Sequence, residues 1–233
     1  MKITHIKEKL EGLDCPIESL SLGDFDEIGE LTAKKSRSRS SELYRKVGCF
    51  YRPNYERGML IHALIKKYNV QSYLEIGFGR GYSSLCAIKA MHEAGIDGKV
   101  TTIDPNFDRT HLQNLTKFFP HQWFQKMEFI NSKSENALPN LGQFDMIYID
   151  GDHTYEGVKK DWDLCKDRWN KILLFDDYHM PTKVQKDIEC SKLIDQIEDE
   201  SKELVIMDRR IFFDDRRMTD EEIDYGQVLL TKA

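Results

Sequence analysis

The sequence predicts an α/β protein with a doubly wound sheet of seven strands, mostly parallel and with a C-terminal antiparallel hairpin strand. From residue 70 onward, short apolar runs alternate with segments of helical period, which is typical of a parallel sheet covered by helices on both faces. Near the end, the polar connection DDRRMTDEEIDYG separates two apolar runs without a helical pattern, which favours an antiparallel hairpin at the sheet's edge.

Each predicted strand is a short apolar run. A helix from Asn54, a good N-cap, to Tyr68 precedes the first strand. A second helix, after the fourth strand, has an apolar stripe at steps of three and four: Tyr155, Val158, Trp162, Cys165 and Trp169. The strands are Ser72 to Ile76, Val100 to Asp104, Met127 to Ile130, Phe144 to Asp150 and Ile172 to Phe175, then a late cluster of Val205 to Met207, Ile211 to Phe213 and Val228 to Leu230.

Composition excludes several classes of protein. The 233 residues include 34 Lys or Arg and 40 Asp or Glu, so the formal charge of −6 disfavours a nucleic-acid partner. The sequence has neither a membrane-spanning apolar stretch nor a signal peptide, so we expect a cytoplasmic protein with no membrane partner. Five dispersed cysteines without a C-x-x-C pair predict reduced, mostly buried thiols. The oligomeric state stays open, a homodimer included.

The first 50 residues are predicted to form a separate extension, either a lid or a substrate-binding segment, ahead of a catalytic domain over residues 51–233. Within it, residues 34–41 read KKSRSRSS, which is typical of a solvated loop. The alternative is a basic patch that meets an anionic substrate.

The strongest local signal is YLEIGFGRGYS at residues 73–83, where an apolar strand passes into Gly77, Gly79 and Gly81 and then a helix. Glycines let the backbone approach a ligand closely, while the N–H groups that begin the helix face a carboxylate or a phosphate. The spacing E-x-G-x-G-x-G differs from the dinucleotide fingerprint G-x-G-x-x-G, and Glu75 suits a cationic amino group. S-adenosylmethionine (SAM) carries both an ammonium and a carboxylate, so the segment favours SAM over a dinucleotide.

Two further loops complete the predicted cofactor site. Asp104 ends the second strand, where its two oxygens can accept the hydroxyls of a ribose. The segment SKSENA at residues 132–137 follows the third strand and places polar side chains where an adenine could be hydrogen-bonded. The alternative for this segment is an ordinary loop.

These residues resemble the class I SAM-dependent methyltransferases over roughly residues 52 to 230, with their Rossmann-like sheet. RPNYERG at 52–58 and LEIGFGRGYSSL at 74–85 look like the catechol and caffeoyl-CoA O-methyltransferase branch. DGDHTYEG at 150–157 and LFDDY at 174–178 look like the related bacterial and sugar O-methyltransferases. The resemblance implies that the methionine part is held by Glu75, Gly77, Gly79, Gly81, Tyr82 and Ser83, the ribose by Asp104 and the adenine by Ser134 and Glu135, with Asp150 nearby.

Three carboxylates are predicted to converge at the same sheet edge. Asp150 closes the fourth strand and Asp176 and Asp177 close the fifth, and neighbouring strands lie about 4.8 Å apart. Such crowding is costly without a cation, and oxygen ligands suit Mg²⁺, Ca²⁺ or Mn²⁺. The metal-dependent branch carries Asp, Asp and Asn here, so Asp177 adds a charge. The alternative is that these acids cap helices or bind the lid.

His153 lies three residues after Asp150, where the catechol-type family carries a lysine base. Methyl transfer is an in-line displacement that needs an aligned, deprotonated nucleophile, and His153, with Asp150 beside it, is the predicted base. The alternative is that His153 begins the helix or ligates the metal.

The sequence therefore predicts a SAM-dependent O-methyltransferase that acts on a small hydroxylated molecule such as a sugar or diol, assisted by a divalent metal. Methylation of nitrogen or of a macromolecule, without a metal, is the alternative within enzymes. A non-catalytic module that retains the fold is the alternative outside them. An NAD-dependent oxidoreductase is disfavoured by the glycine spacing.

Overall fold

Eight strands form one sheet in the computed structural model, which describes residues 1–20, 25, 27–29, 55–179, 188–208 and 225–232. The strands are β1 Lys2–His5, β2 Ser72–Ile76, β3 Lys99–Ile103, β4 Met127–Ile130, β5 Phe144–Ile149, β6 Trp169–His179, β7 Glu203–Ile206 and β8 Tyr225–Thr231. The α-helices include α1 Ile6–Gly12, α2 Tyr55–Lys67, α3 Tyr82–Glu93, α4 Arg109–Leu115, α5 His121–Gln125, α6 Ser134–Ala137, α7 Tyr155–Cys165 and α8 Cys190–Ile194.

The strand order is β1-β7-β8-β6-β5-β2-β3-β4, and only β8 runs antiparallel to its neighbours β6 and β7. This confirms the predicted α/β class, with its mostly parallel sheet and its C-terminal antiparallel hairpin strand. The sheet has one strand more than the predicted seven. The extra edge strand, β1, pairs in parallel with β7, so the start of the chain contributes to the sheet.

Several local boundaries differ from the prediction. The largest difference is in β6, predicted as Ile172 to Phe175, which runs over Trp169–His179 and so contains Asp176 and Asp177. The apolar stripe was extended to Trp169, but α7 ends at Cys165 and Trp169 begins β6, because a turn from Cys165 to Arg168 separates the two elements. Among the described strands, β7 is the one that precedes β8 in the chain, and the two pair in antiparallel fashion. The predicted strand Ile211 to Phe213, the predicted cap Asn54, Cys49 and the KKSRSRSS segment lie outside the described residues.

Alternate residues of each central strand are buried against different helices. One apolar cluster joins Tyr73 and Tyr148 to α2 and α3, and the other joins Leu74 and Ile147 to α7 and α8. Both faces of the central strands are therefore covered, as in a doubly wound sheet. The carboxyl ends of β2, β3, β5 and β6 consequently open on one shared edge, where the candidate site lies.

Among the described helices, none has the length and apolar character needed to cross a membrane. Cys15, Cys86, Cys165 and Cys190 are free and buried, in agreement with the expectation of reduced thiols.

Candidate active site

A cavity of about 380 Å³ opens at the carboxyl ends of β2, β3, β4 and β5. Four of the predicted cofactor residues line it: Gly77, Asp104, Ser134 and Glu135. Ligands of open α/β sheets bind at this kind of crevice. The remaining predicted cofactor residues, Glu75, Gly79, Gly81, Tyr82, Ser83 and Asp150, are not part of its lining and continue from it along the glycine loop and β5.

The glycine loop requires glycine for two different reasons. At Gly77, φ is +96° and a Cβ atom would lie 1.9 Å from the carbonyl oxygen of Asp150, so any side chain would force β2 and β5 apart. At Gly79, φ is +51° and a Cβ atom would meet nothing within 4 Å. The backbone is thus packed against the protein at Gly77 and open at Gly79, where it can approach a ligand.

Glu75 is completely buried at the end of β2, and the Ser84 hydroxyl donates to its Oε2. Its other oxygen, Oε1, finds no donor among the described residues. Burial raises the pKa of Glu75 to about 7, although hydrogen bonds from Ser84 and Ser83 and the charge of Arg57 oppose the shift. A buried carboxylate oxygen without a donor is rare unless a ligand supplies one, so the geometry fits the predicted ammonium.

The start of α3 is open to an anion. Gly81 is its N-cap in the left-handed conformation, with φ +87°, and has no side chain to occupy the first helical N–H groups. Ser83, predicted to hold the methionine part, is buried beside Glu75. The hydroxyl of Tyr82 is buried and has no partner among the described residues. The backbone amides of α3 are therefore better placed than these side chains to meet a carboxylate.

Asp104 ties the two loops of the cavity together. Its Oδ2 accepts from the Gly79 N–H at 2.9 Å, and its Oδ1 accepts from the Asn106 N–H at 2.7 Å. Each carboxylate oxygen can accept a second hydrogen bond, so Asp104 retains the capacity to bind both ribose hydroxyls.

The polar wall beyond Asp104 contains Ser134 and Glu135 at the start of α6. Ser134 Oγ donates to Asp161 Oδ1 at 2.5 Å, and Glu135 lies 3.5 Å from the Lys160 ammonium. The sequence analysis assigned α7 to packing and missed Asp161 and Lys160, which also line the cavity. One sequence signal could have identified Asp161: it is a carboxylate that lies between Val158 and Cys165, two residues of the apolar stripe of this helix.

Strand register brings the predicted carboxylates together. Ile149 pairs with Phe175, so Asp150 comes level with Asp176 on the neighbouring strand. The register of β6 shifts between Phe175 and Tyr178, and Asp177 there has φ +52°. Such a bulge re-aims side chains, and the two consecutive aspartates face different partners as a result.

Arg57 on α2 lies between two of these acids. Its Nη1 contacts Asp150 Oδ2 at 3.1 Å, and its Nη2 contacts Asp176 Oδ2. Asp176 Oδ1 also accepts from Gln227 Nε2 at 3.0 Å, so both oxygens of the predicted metal ligand Asp176 are engaged within the protein. The sequence analysis quoted Arg57 within a motif but gave it no role.

A second group gathers around Asp177. His153 Nδ1 lies 2.9 Å from Asp177 Oδ2, and ligand atoms of Asp150, His153 and Asp177 all lie within 4.8 Å of one another. This set contains two of the three predicted metal ligands together with the predicted base. The hydrogen bond to Asp177 raises the pKa of His153 to about 10, so the imidazole is a cation near neutrality in this arrangement.

The chain is similar to known methyltransferases. A family model described as a methyltransferase domain matches residues 74–178, and no curated protein matches the sequence. In its SAM complex, the O-methyltransferase TomG from Streptomyces achromogenes is 15% identical, with a TM-score of 0.55, and the match covers 86% of this chain and 92% of that chain.

Two further solved structures share the fold. The O-methyltransferase from Bacillus cereus, in complex with S-adenosylhomocysteine (SAH), is 11% identical, with a TM-score of 0.57, and the match covers 97% of each chain. The SAH-bound methyltransferase PaMTH1 from Podospora anserina is 16% identical, with a TM-score of 0.51 and coverage of 90% of this chain and 88% of that chain. At these identities the likeness establishes the fold.

The raised pKa of Glu75 predicts how Glu75→Gln changes stability with pH. The folded-state pKa of about 7 exceeds the ordinary value of 4.5, so the folded state holds the extra proton and wild-type stability falls as pH rises between these values. Because the 2.5-unit difference corresponds to about 3 kcal/mol, Glu75→Gln should gain about that much relative to wild type between pH 4.5 and pH 8.

Urea unfolding at several pH values measures this difference in the free energy of unfolding. Glu156→Gln, at an exposed position on α7, is the matched control and should follow the wild-type curve. Parallel curves for Glu75→Gln and wild type would show that Glu75 titrates normally.

Proposed function

We propose that the chain is a class I SAM-dependent methyltransferase, and that it transfers the methyl group to an oxygen of a small hydroxylated molecule such as a sugar or diol. The observation that carries this proposal is the cluster of Asp150, His153 and Asp177 beside the glycine loop. Carboxylates and an imidazole at this position suit the binding and deprotonation of a hydroxyl group. The resemblance to structures named O-methyltransferases adds support.

In this proposal, the cofactor extends from the start of α3 into the cavity. The free Oε1 of Glu75 accepts from its ammonium, and the backbone of Gly79, Gly81, Tyr82 and Ser83 meets its carboxylate, with Gly77 allowing the close approach. Asp104 accepts from the ribose hydroxyls, and Ser134 and Glu135 lie beside the base. Glu75 Oε1 and both Asp104 oxygens have acceptor capacity left for these roles. The N–H groups of Gly79 and Gly81 already donate to Asp104 and to the Phe78 carbonyl, so the first N–H groups of α3 are the ones that remain for the carboxylate.

The donor set also fits a hard divalent cation, Mg²⁺, Mn²⁺ or Ca²⁺, held by Asp150 and Asp177. Burial and the neighbouring Asp176 charge raise the pKa of Asp150, so a nearby cation would relieve this crowding. Asp176, the third predicted ligand, keeps its bonds to Arg57 and Gln227 in this proposal. When bound, such a cation lowers the pKa of a coordinated hydroxyl.

His153 is the proposed base. Methyl transfer needs the acceptor oxygen aligned with the sulfonium and stripped of its proton. The protonated ring held by Asp177 has no free lone pair, so His153 must first release its extra proton to water, which loss of the bond to Asp177 would allow because that bond raises its pKa. The neutral imidazole then accepts the proton of the acceptor hydroxyl. Arg57 keeps Asp150 and Asp176 in place beside the reacting oxygen.

Turnover with a panel of acceptors tests the proposed function. Purified protein with SAM and Mg²⁺ should form SAH with sugars, diols or catechols, and mass spectrometry should detect products carrying one more methyl group on oxygen. Asp104→Ala is the control, because loss of both ribose acceptors should weaken cofactor binding at least tenfold. Turnover restricted to amines or macromolecules would favour the alternative acceptor classes.

The proposed cation ligands predict a pattern of metal affinities. Mn²⁺ binding, followed by electron paramagnetic resonance, should weaken at least tenfold in Asp150→Asn and Asp177→Asn. Asp163→Asn, an aspartate on α7 paired only with lysines among the described residues, should bind Mn²⁺ as wild type does. An equal loss of Mn²⁺ affinity in Asp176→Asn would show that Asp176 is a ligand as well, as the sequence predicts. Wild-type protein that binds no Mn²⁺ would contradict the proposed cation site.

Replacement of the proposed base should separate binding from chemistry. His153→Ala should leave the SAH affinity within about twofold of wild type and lower kcat at least tenfold, since the imidazole acts only on the acceptor proton. His121→Ala, at an exposed position on α5, provides the control. Calorimetry and initial rates measure the two effects, and an unchanged kcat in His153→Ala would rule out the base assignment.

A further inference from the structure

Asp161 is a buried carboxylate in the cavity wall to which the proposed mechanism gives no role. Its residue surface is 4% exposed, and it lies on the buried face of α7 between Val158 and Cys165. Buried carboxylates are normally paired with a cation. Among the described residues, no Lys, Arg or His forms an ion pair with Asp161, because the nearby Lys160 pairs with Glu135 instead.

The two oxygens of Asp161 have different surroundings. Oδ1 accepts the Ser134 hydroxyl, and Oδ2 faces Gly151, where a Cβ atom would lie 3.0 Å from it. Both Gly151 and Asp161 line the cavity, so the absence of a side chain at Gly151 keeps Oδ2 accessible from it. Burial raises the pKa of Asp161 to about 6, so the group is largely an anion at neutral pH.

Where Ser134 and Asp161 meet, the cavity consequently presents acceptors, while the Lys160 ammonium in the same wall is paired with Glu135. Ser134 has committed its only proton to Asp161 Oδ1, and an ionised carboxylate has none to give. A nucleobase that fills this end needs a donor on the edge it presents. Adenine offers its exocyclic amine, whereas hypoxanthine offers a carbonyl oxygen at the equivalent position, which would place two acceptors together.

We propose that Asp161 selects the base of the cofactor by accepting a hydrogen bond from the exocyclic amine of adenine. The inference rests on the proposed placement of the adenosine half in this cavity, with the ribose at Asp104. It adds a specificity-determining residue on α7, beside the start of α6, which carries Ser134 and Glu135. A site built around a hydrogen bond discriminates strongly against a ligand that lacks the matching group, because its buried acceptor is left unpaired.

Calorimetry with SAH and its inosine counterpart, S-inosylhomocysteine, tests the inference on the full chain. Wild-type protein should bind the adenine compound at least tenfold more tightly. Asp161→Asn can donate to the carbonyl of hypoxanthine, so the ratio of the two affinities should fall at least fivefold. Asp163→Asn, two residues along the same helix and paired with Lys159, should retain the wild-type ratio.

The ratio separates recognition from a merely structural role, because a loss of packing would weaken both compounds alike. The inference would be overturned, with the proposed function unaffected, if wild-type protein bound the two compounds with affinities within threefold of each other. It would also be overturned if Asp161→Asn kept the full wild-type ratio of the two affinities. The wild-type comparison needs no variant, so it stands even where Asp161→Asn does not fold. Failure of both compounds to bind wild-type protein would overturn the proposed cofactor site, and this inference with it.

Discussion

The Arg57 guanidinium holds two carboxylates together, that of Asp150 directly after β5 and that of Asp176 within β6. The Asp176 side chain is 1% exposed and that of Asp150 15%, so two ionised groups at these positions cost several kcal/mol unless a cation offsets them. The charge of Arg57 also opposes the raised pKa of Glu75 at the end of β2. One side chain from α2 therefore acts on the ionisation of acids on three strands, β2, β5 and β6.

Backbone irregularity lets two consecutive aspartates serve different partners. In a regular strand, Asp176 and Asp177 would point to opposite faces of the sheet. The bulge between Phe175 and Tyr178 and the positive φ of Asp177 alter this, so both carboxylates lie near Asp150, where Asp176 meets Arg57 and Asp177 meets His153. A non-glycine residue at positive φ costs of order 1 kcal/mol or more. Pairing of β6 with β8 on both sides of the bulge holds the chain in this conformation.

The sequence predicts those features that depend on neighbouring residues in the chain, and it does not predict those that depend on contacts between distant residues. The strands β2 to β5 were predicted within a residue or so. The central strands β2 and β5 are buried on both faces and are rich in apolar residues, which makes their signal local. Strand β1 was missed because KITH is short and half polar, and it is defined by pairing with β7 some 200 residues away. The contacts of Arg57 with Asp150 depend likewise on how α2 packs on the sheet, which periodicity does not encode.

In the candidate site, too, the position of the glycine loop could be predicted from the sequence, whereas the orientations of the side chains could not. The spacing of the glycine loop marked its position, because the need for glycine at Gly77 arises from the backbone itself. Orientations were beyond the sequence: Ser83 turns to Glu75, and Asp176 turns to Arg57 and Gln227. A carboxylate on an apolar helix face, such as Asp161, has the same spacing as a packing residue and can be recognised only once the cavity beside it is known.

The side chains proposed to face the cofactor share one chemical character. Glu75, Asp104 and Asp161 are all carboxylates, one each near the end of β2, after β3 and on α7, and each has an acceptor left to offer. A dinucleotide would bring phosphate anions toward this set, which Coulomb repulsion disfavours. SAM instead presents donors along its length, namely an ammonium, two ribose hydroxyls and an exocyclic amine. Its single carboxylate can meet the amides of α3, so the distribution of acceptors, more than the glycine spacing alone, accounts for the choice of SAM over a dinucleotide.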